Sequence, residues 1–107
     1  MGLEDVDQLD RLVHEPARLV ILTALASCAS ADFVFLQRVT RLTNGNLSAH
    51  LTKLGEARLV EIEKRFVDRK PNTHVLITAK GRSAVTEHWR RLEQLRIGAR
   101  RLKPASS

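Results

Sequence analysis

Through the first half of the chain, apolar residues recur at spacings of three and four. Leu3, Val6, Leu9, Leu12 and Val13 mark one face of a short amphipathic helix over residues 3–13. Glu15-Pro16 opens a second helix, because proline is preorganised for a first turn and an acid suits the positive end of the helix dipole. Ala17, residues 19–22, Leu25 and Ala26 then make this helix apolar on nearly all sides, which predicts a central buried element ending near the small residues 27–31. Asp32 is a good N-cap for a short third helix carrying Phe33, Leu36 and Val39. Residues 41–43 form the turn into a fourth, whose apolar face is Leu47, Leu51 and Leu54.

The period then changes. Val60, Ile62 and Phe66 stand in near-alternation, predicting a strand over 59–66. Residues 67–72 read as a polar turn and 73–77 as a second strand, so the pair is a β-hairpin with a basic tip. Thr78 caps a long helix over about 78–102. Its Val85, His88, Leu92, Leu95, Ala99 and Leu102 follow a 3-4-3-4-3 spacing, a seam flanked by Trp89. Four helices, a hairpin and a long helix, with two short helices directly before the hairpin, predict a mainly α winged helix-turn-helix fold. Residues 1–103 make one domain, and Pro104-Ala105-Ser106-Ser107 reads as a frayed tail.

The fourth helix carries the most specific chemistry. Away from Leu47, Leu51 and Leu54 it shows Gly45, Asn46, Ala49, Thr52, Lys53 and Glu56, with Ser48 and His50 on the flanks. Short groups that both donate and accept suit base edges in a DNA major groove, whereas a merely solvated helix more often carries long Glu and Lys side chains. Thr43 and Asn44 at its N-terminus are placed to meet phosphate, and Gly45 would permit close backbone approach.

Composition narrows the alternatives. Apolar residues at 43% and charged residues at 28% are ordinary for a globular domain. Four aromatic residues (Phe33, Phe35, Phe66 and Trp89) are too few for a binder built on base-stacking platforms. One cysteine, Cys28, forms no intramolecular disulfide and no Cys-rich zinc site, and it is expected to be a small buried hydrophobe. His14, His50, His74 and His88 are spread over four elements, so no metal or other cofactor is expected. No apolar run reaches membrane-span length and residues 2–5 are acidic where a signal peptide would be basic, so the chain is expected in the cytoplasm, away from membranes. No phosphate loop, placed nucleophile or carboxylate cluster suggests an enzyme.

The net charge of +6 matters less than where it lies. Residues 1–15 sum to −4, residues 64–70 to +3 and residues 90–103 to +5. A polyanion partner fits the basic segments, but the largest of them could equally pair with the acidic first helix.

Together these motifs resemble the small winged-helix transcriptional regulators near the MarR and ArsR groups. The resemblance rests on residues 13–19, 31–33, 42–51, 66–71 and 76–82, and above all on Leu42-Thr43 with Gly45-Asn46-Leu47-Ser48-Ala49-His50-Leu51 combined with Arg69-Lys70-Pro71 and Thr78-Ala79-Lys80-Gly81-Arg82. It implies a repressor or activator that binds double-stranded DNA. The recognition helix would span about 44–57, presenting Thr43, Asn44, Gly45, Asn46, Ser48, Ala49, His50, Thr52 and Lys53. The wing would span 65–74, with Arg65, Arg69, Lys70, Asn72 and Thr73 toward DNA. Three positions depart from the family pattern: Gly55 inside the helix, Arg58 where glycine usually takes a left-handed cap, and Asp68 at the wing turn.

A last helix of about 25 residues, roughly 37 Å long, overreaches a core of this size. Leu3, Val6 and Leu9 with Trp89, Leu92, Leu95, Ala99 and Leu102 are therefore the expected homodimer contact, the acidic and basic terminal helices complementing each other across a two-fold axis. The alternative function is a winged helix docking on a larger protein assembly, which the scarcity of apolar anchors on the recognition face disfavours. No residue set names an effector ligand.

Overall fold

The computed structural model describes residues 3–101, with side chains over 9–101. Its elements are α1 (Leu3–His14), α2 (Pro16–Cys28), β1 (Ser30–Asp32), α3 (Phe33–Thr40), α4 (Asn44–Glu56), β2 (Val60–Val67), β3 (Lys70–Ile77) and α5 (Ala79–Arg101). This is a winged helix fold: helices around α2, a three-stranded antiparallel sheet of order β1-β3-β2, and a long last helix. Leu3, Val6, Leu102 and the tail at 104–107 lie outside the residues whose side chains are described. No helix among the described residues is long and apolar enough to cross a membrane.

The helix caps follow from their residues. Glu15 caps α2 by accepting the Arg18 N–H at 3.0 Å, and Asp32 caps α3 by accepting the Phe35 N–H at 2.9 Å. Thr43 caps α4 by accepting the Asn46 N–H at 3.2 Å. Ile21, Leu22 and Leu25 of α2 are fully buried, and Leu36, Leu47, Leu51, Leu54, Leu59, Val60, Val75 and Val85 close around them. The Leu47/Leu51/Leu54 face expected to hold α4 from behind is thus inside the core.

Three local expectations need correction. The strands are longer and the turn tighter than the alternation suggested: pairing runs from Val60↔Ile77 out to Val67↔Lys70. Asp68 and Arg69 both take positive φ, 51° and 66°, the conformation of a two-residue turn whose twist matches the strands. A third strand, β1, was not expected; its three residues pair Ala31 with Val75 and set the sheet against α2. Cys28 is exposed, not buried, because it stands on the last turn of α2 between exposed Ser27 and Ala29, its thiol donating back to the Ala24 carbonyl.

The chain leaving α4 is fastened to the start of α5. Arg58 adopts φ 63°, the left-handed cap that the missing glycine would take more cheaply. The Leu59 carbonyl then accepts from the Thr78 N–H at 3.0 Å and from the Thr78 hydroxyl, which also reaches the Arg58 carbonyl at 2.7 Å. Gly81 packs directly on this crossing: a Cβ there would lie 2.1 Å from the Leu59 carbonyl oxygen.

At the other end of the fold, α1 is held on α5 by polar groups. Buried His88 bonds Asp10 through Nδ1 at 3.1 Å and His14 through Nε2 at 3.3 Å, and the Arg91 guanidinium donates to the same Asp10 oxygen at 3.0 Å. His88 thus links the Asp10 carboxylate to the His14 ring, one ring nitrogen toward each. The hydrogen bond from His88 holds the Asp10 carboxyl below its ordinary range despite some burial, and Arg91 adds to the effect. Asp10 of α1 is therefore matched by Arg91 and His88 of α5 within one chain.

Two outcomes follow. Gly81→Ala should lower the unfolding free energy by about 2 kcal/mol or more through overpacking on backbone, while Gly45→Ala, with open space around it, should be neutral or stabilising by up to about 1 kcal/mol; urea denaturation of both variants checks this. Because the Asp10 carboxyl is lowered by folding, its stabilisation is complete above the unfolded carboxyl range, near pH 4, and is lost as pH falls through the folded value. Asp10→Asn should therefore narrow the gap in urea midpoint between pH 7 and pH 3.

Candidate nucleic-acid interface

Burial behind α4 frees its front. Asn44, Gly45, Asn46, Ser48, Ala49, Thr52 and Lys53 are all exposed, as is the capping Thr43. Two of these have internal bonds as well: the Asn44 amide oxygen accepts from Gln37 Nε2, and the Thr52 hydroxyl donates to the Ser48 carbonyl at 2.9 Å. Asn46, Ser48, Ala49 and Lys53 are left as the outward row. α4 runs through Gly55 to Glu56, one residue short of the expected end. A Cβ on Gly55 would lie 3.7 Å from the Ile62 side chain, so β2 crosses over the helix there.

His50 is turned elsewhere. Its side chain is only 22% exposed, and Nδ1 is buried without a hydrogen bond, 3.7 Å from a Glu15 carboxylate oxygen. Arg18 Nε, also buried and unbonded, lies 3.6 Å from that same oxygen. Burial pushes the Glu15 carboxyl up, but hydrogen bonds from the Arg18 and Ala17 N–H groups outweigh it, aided by the nearby His50 and Arg18, and the carboxyl lies below its usual value. His50 thus faces the α1–α2 junction behind the front row. The sequence placed it on the flank of α4 but carried no signal for its partner, since Glu15 and His50 are joined only by the fold.

The wing divides its residues between two faces. In the observed register Val60, Ile62, Lys64 and Phe66 share one face with Ile77, Val75, Thr73 and Pro71, and Ile62 sets this face toward α4. Arg65 and Asn72 lie on the other face, where Arg65 Nε donates to the Asn72 amide oxygen at 3.1 Å and its guanidinium meets His74 Nδ1 at 3.2 Å. Of Arg65, Asn72 and Thr73, expected to act together, Asn72 and Thr73 both reach the groove beside α4, while Arg65 is held on Asn72 and His74. Arg69 and Lys70 are exposed at the tip with no ion pair among the described residues. Phe33, Val34, Asn44, Ser48, Pro71, Asn72 and Thr73 line an open groove of about 360 Å³ that joins the N-terminus of α4 to the wing. Phe66 is 75% exposed because the hairpin outruns the body beneath it.

Some cations elsewhere are engaged in ion pairs. On α5 Arg90 pairs with Glu87, Arg91 with Asp10 and Glu87, and Arg96 with Glu93. Beside α4, Lys53, Arg69 and Lys70 have no ion pair among the described residues, and neither do Arg38, Arg41, Arg58, Lys64, Arg100 and Arg101.

Comparison with known proteins agrees with this architecture. Residues 17–96 match the family described as winged helix DNA-binding domain. An uncharacterized protein of Methanocaldococcus jannaschii is 33% identical over 85 residues, covering 79% of this chain and 92% of its own. The structure of a transcriptional regulator homologue from Pyrococcus horikoshii aligns with TM-score 0.80 and 30% identity, covering 91% of this chain and 98% of that one. A mutant of MarR from E. coli, solved in complex with operator DNA, shares the fold at TM-score 0.57 and 22% identity, over 80% of this chain and 67% of that one. The chain belongs to the winged helix DNA-binding domain family, and it shares its fold with a transcriptional regulator homologue and with MarR.

Proposed function

We propose that this protein is a sequence-specific DNA-binding transcriptional regulator that acts as a homodimer. The observation that carries the reading is the two-sidedness of α4. Leu47, Leu51 and Leu54 are locked in the core, while Asn46, Ser48, Ala49 and Lys53 stand free in front, beside a wing tip with uncommitted cations. In this reading the front row enters a major groove, and Arg69 and Lys70 meet the flanking backbone or minor groove. The MarR structure with operator DNA supports it, as that protein has the same fold.

Support for a second copy comes from the far half of α5. No residue after His88 is buried among those described, and Trp89, Leu95 and Ile97 are 47%, 69% and 39% exposed. Arg91, Gln94, Leu95, Gly98 and Ala99 line an apolar groove along this overhang. A two-fold pairing of these faces would hold two α4 helices for half-sites about 34 Å apart on a near-palindromic operator.

Selection of bound sequences from a random duplex pool tests the reading, and a symmetric motif is the expected result. Equal affinity for all duplexes at physiological salt would overturn it. Asn46→Ala should cost about 1–3 kcal/mol against the selected site and relax the preference at one base position. Arg69→Ala with Lys70→Ala should instead weaken all duplexes and flatten the dependence of log K on log salt by about two per protomer. Leu95→Glu should halve the mass found by sedimentation equilibrium and leave the circular dichroism unchanged, since the side chain takes no part in the protomer core.

A further inference from the structure

We propose that Phe66, paired with Pro71, is an apolar contact to the deoxyribose faces of a bound duplex, set between the cations of the wing. This rests on the reading of the chain as DNA-binding and adds a contact of a different chemical kind. A phenylalanine ring 75% exposed is unusual, and the contrast lies along one strand face, where Val60 at the root is 2% exposed. The hairpin carries the same alternation outward until no body remains to cover it.

The register gives the ring its setting. In a hairpin closed by a two-residue turn, the pair next to the turn, Val67 and Lys70, exchanges hydrogen bonds. Phe66 and Pro71 are then the following, non-hydrogen-bonded pair, whose side chains stand closest together. The ring therefore lies beside the pyrrolidine, and the absent Pro71 N–H leaves no donor unsatisfied, since β1 ends at the Asp32↔His74 pair and no strand flanks β3 there. The result is a small, stiff apolar surface.

Charge selects the partner. Lys64 shares the face of Phe66, and Arg69 and Lys70 follow at the tip, whereas Glu61 and Glu63 alternate to the opposite face. Pro71 and Thr73 of the ring's face, with Asn72 between them, also line the groove that contains Asn44 and Ser48 of α4. A partner touching both ends of this surface must be extended, anionic at intervals and apolar between. A nucleic-acid backbone, with phosphates separated by sugars, has that pattern; the cations take the phosphates and the ring takes a sugar face.

The experiment measures affinity for a duplex selected from a random pool, over a series of salt concentrations, for wild type, Phe66→Ala and Phe66→Leu. Phe66→Ala should bind about tenfold more weakly at every salt concentration, giving a line parallel to that of wild type, because no charge is lost. Phe66→Leu should recover most of the loss. Thermal unfolding should be unchanged in both variants. Phe66→Ala binding within twofold of wild type would overturn the contact and assign the ring to a protein surface. A loss accompanied by a flatter salt dependence would also overturn it, since that means the wing has frayed and its cations have gone with it. A wild type that binds no duplex would overturn the DNA reading and the contact together.

Discussion

Residue 81 has room for a hydrogen and nothing more, because the carbonyl oxygen of Leu59 lies where a Cβ would go. That contact joins the exit of α4, the roots of both wing strands and the entry of α5. Arg58 turns the chain in a left-handed conformation, Leu59 offers its carbonyl to Thr78, and Val60 pairs with Ile77 one residue later. Loosening the crossing by even a methyl group would change the angle between α4 and the wing, and the path of α5 with it. The orientation of the exposed row on α4 is therefore set from behind, by a packing limit rather than by its own side chains.

Polar groups do a different task at the opposite end. The His14–His88–Asp10–Arg91 cluster adds directional bonds between α1 and α5 beside the buried Val13 and Val85. It also neutralises charge that the composition alone would assign to a polyanion site. Pairs along α5 take up Arg90, Arg91 and Arg96, so the formal charge of the chain overstates what a ligand meets. Near α4 and the wing tip, Lys53, Arg69 and Lys70 stay unpaired among the described residues.

The helices were legible in the sequence because their signals are local. Pro16, Asp32 and Thr43 begin elements where a cap or a first-turn proline should stand, and the leucines of α4 keep their spacing. What sequence could not supply was anything decided across the fold. β1 is three residues long and exists only because β3 is beside it. His50 reads as a flank residue until Glu15 and Arg18 are brought against it. Phe66 fits a core alternation and is exposed because the hairpin extends past the core. Which side Arg65 and Thr73 take depends on register, and the register depends on a turn of two residues where the polar composition implied six.

The length of α5 also has a hydrodynamic consequence. The chain measures 65 × 33 × 23 Å with a radius of gyration of 16.6 Å, against about 13 Å for a compact chain of this length. A rod-like particle of 12.0 kDa tumbles and elutes as a heavier sphere would. A single copy would therefore run early on gel filtration and imitate an assembly. Two copies packed along their overhangs would be less elongated relative to their mass, and the elution shift on pairing would be smaller than a doubling suggests. For this molecule, shape and stoichiometry are entangled in any measurement of size, and only a measurement of mass separates them.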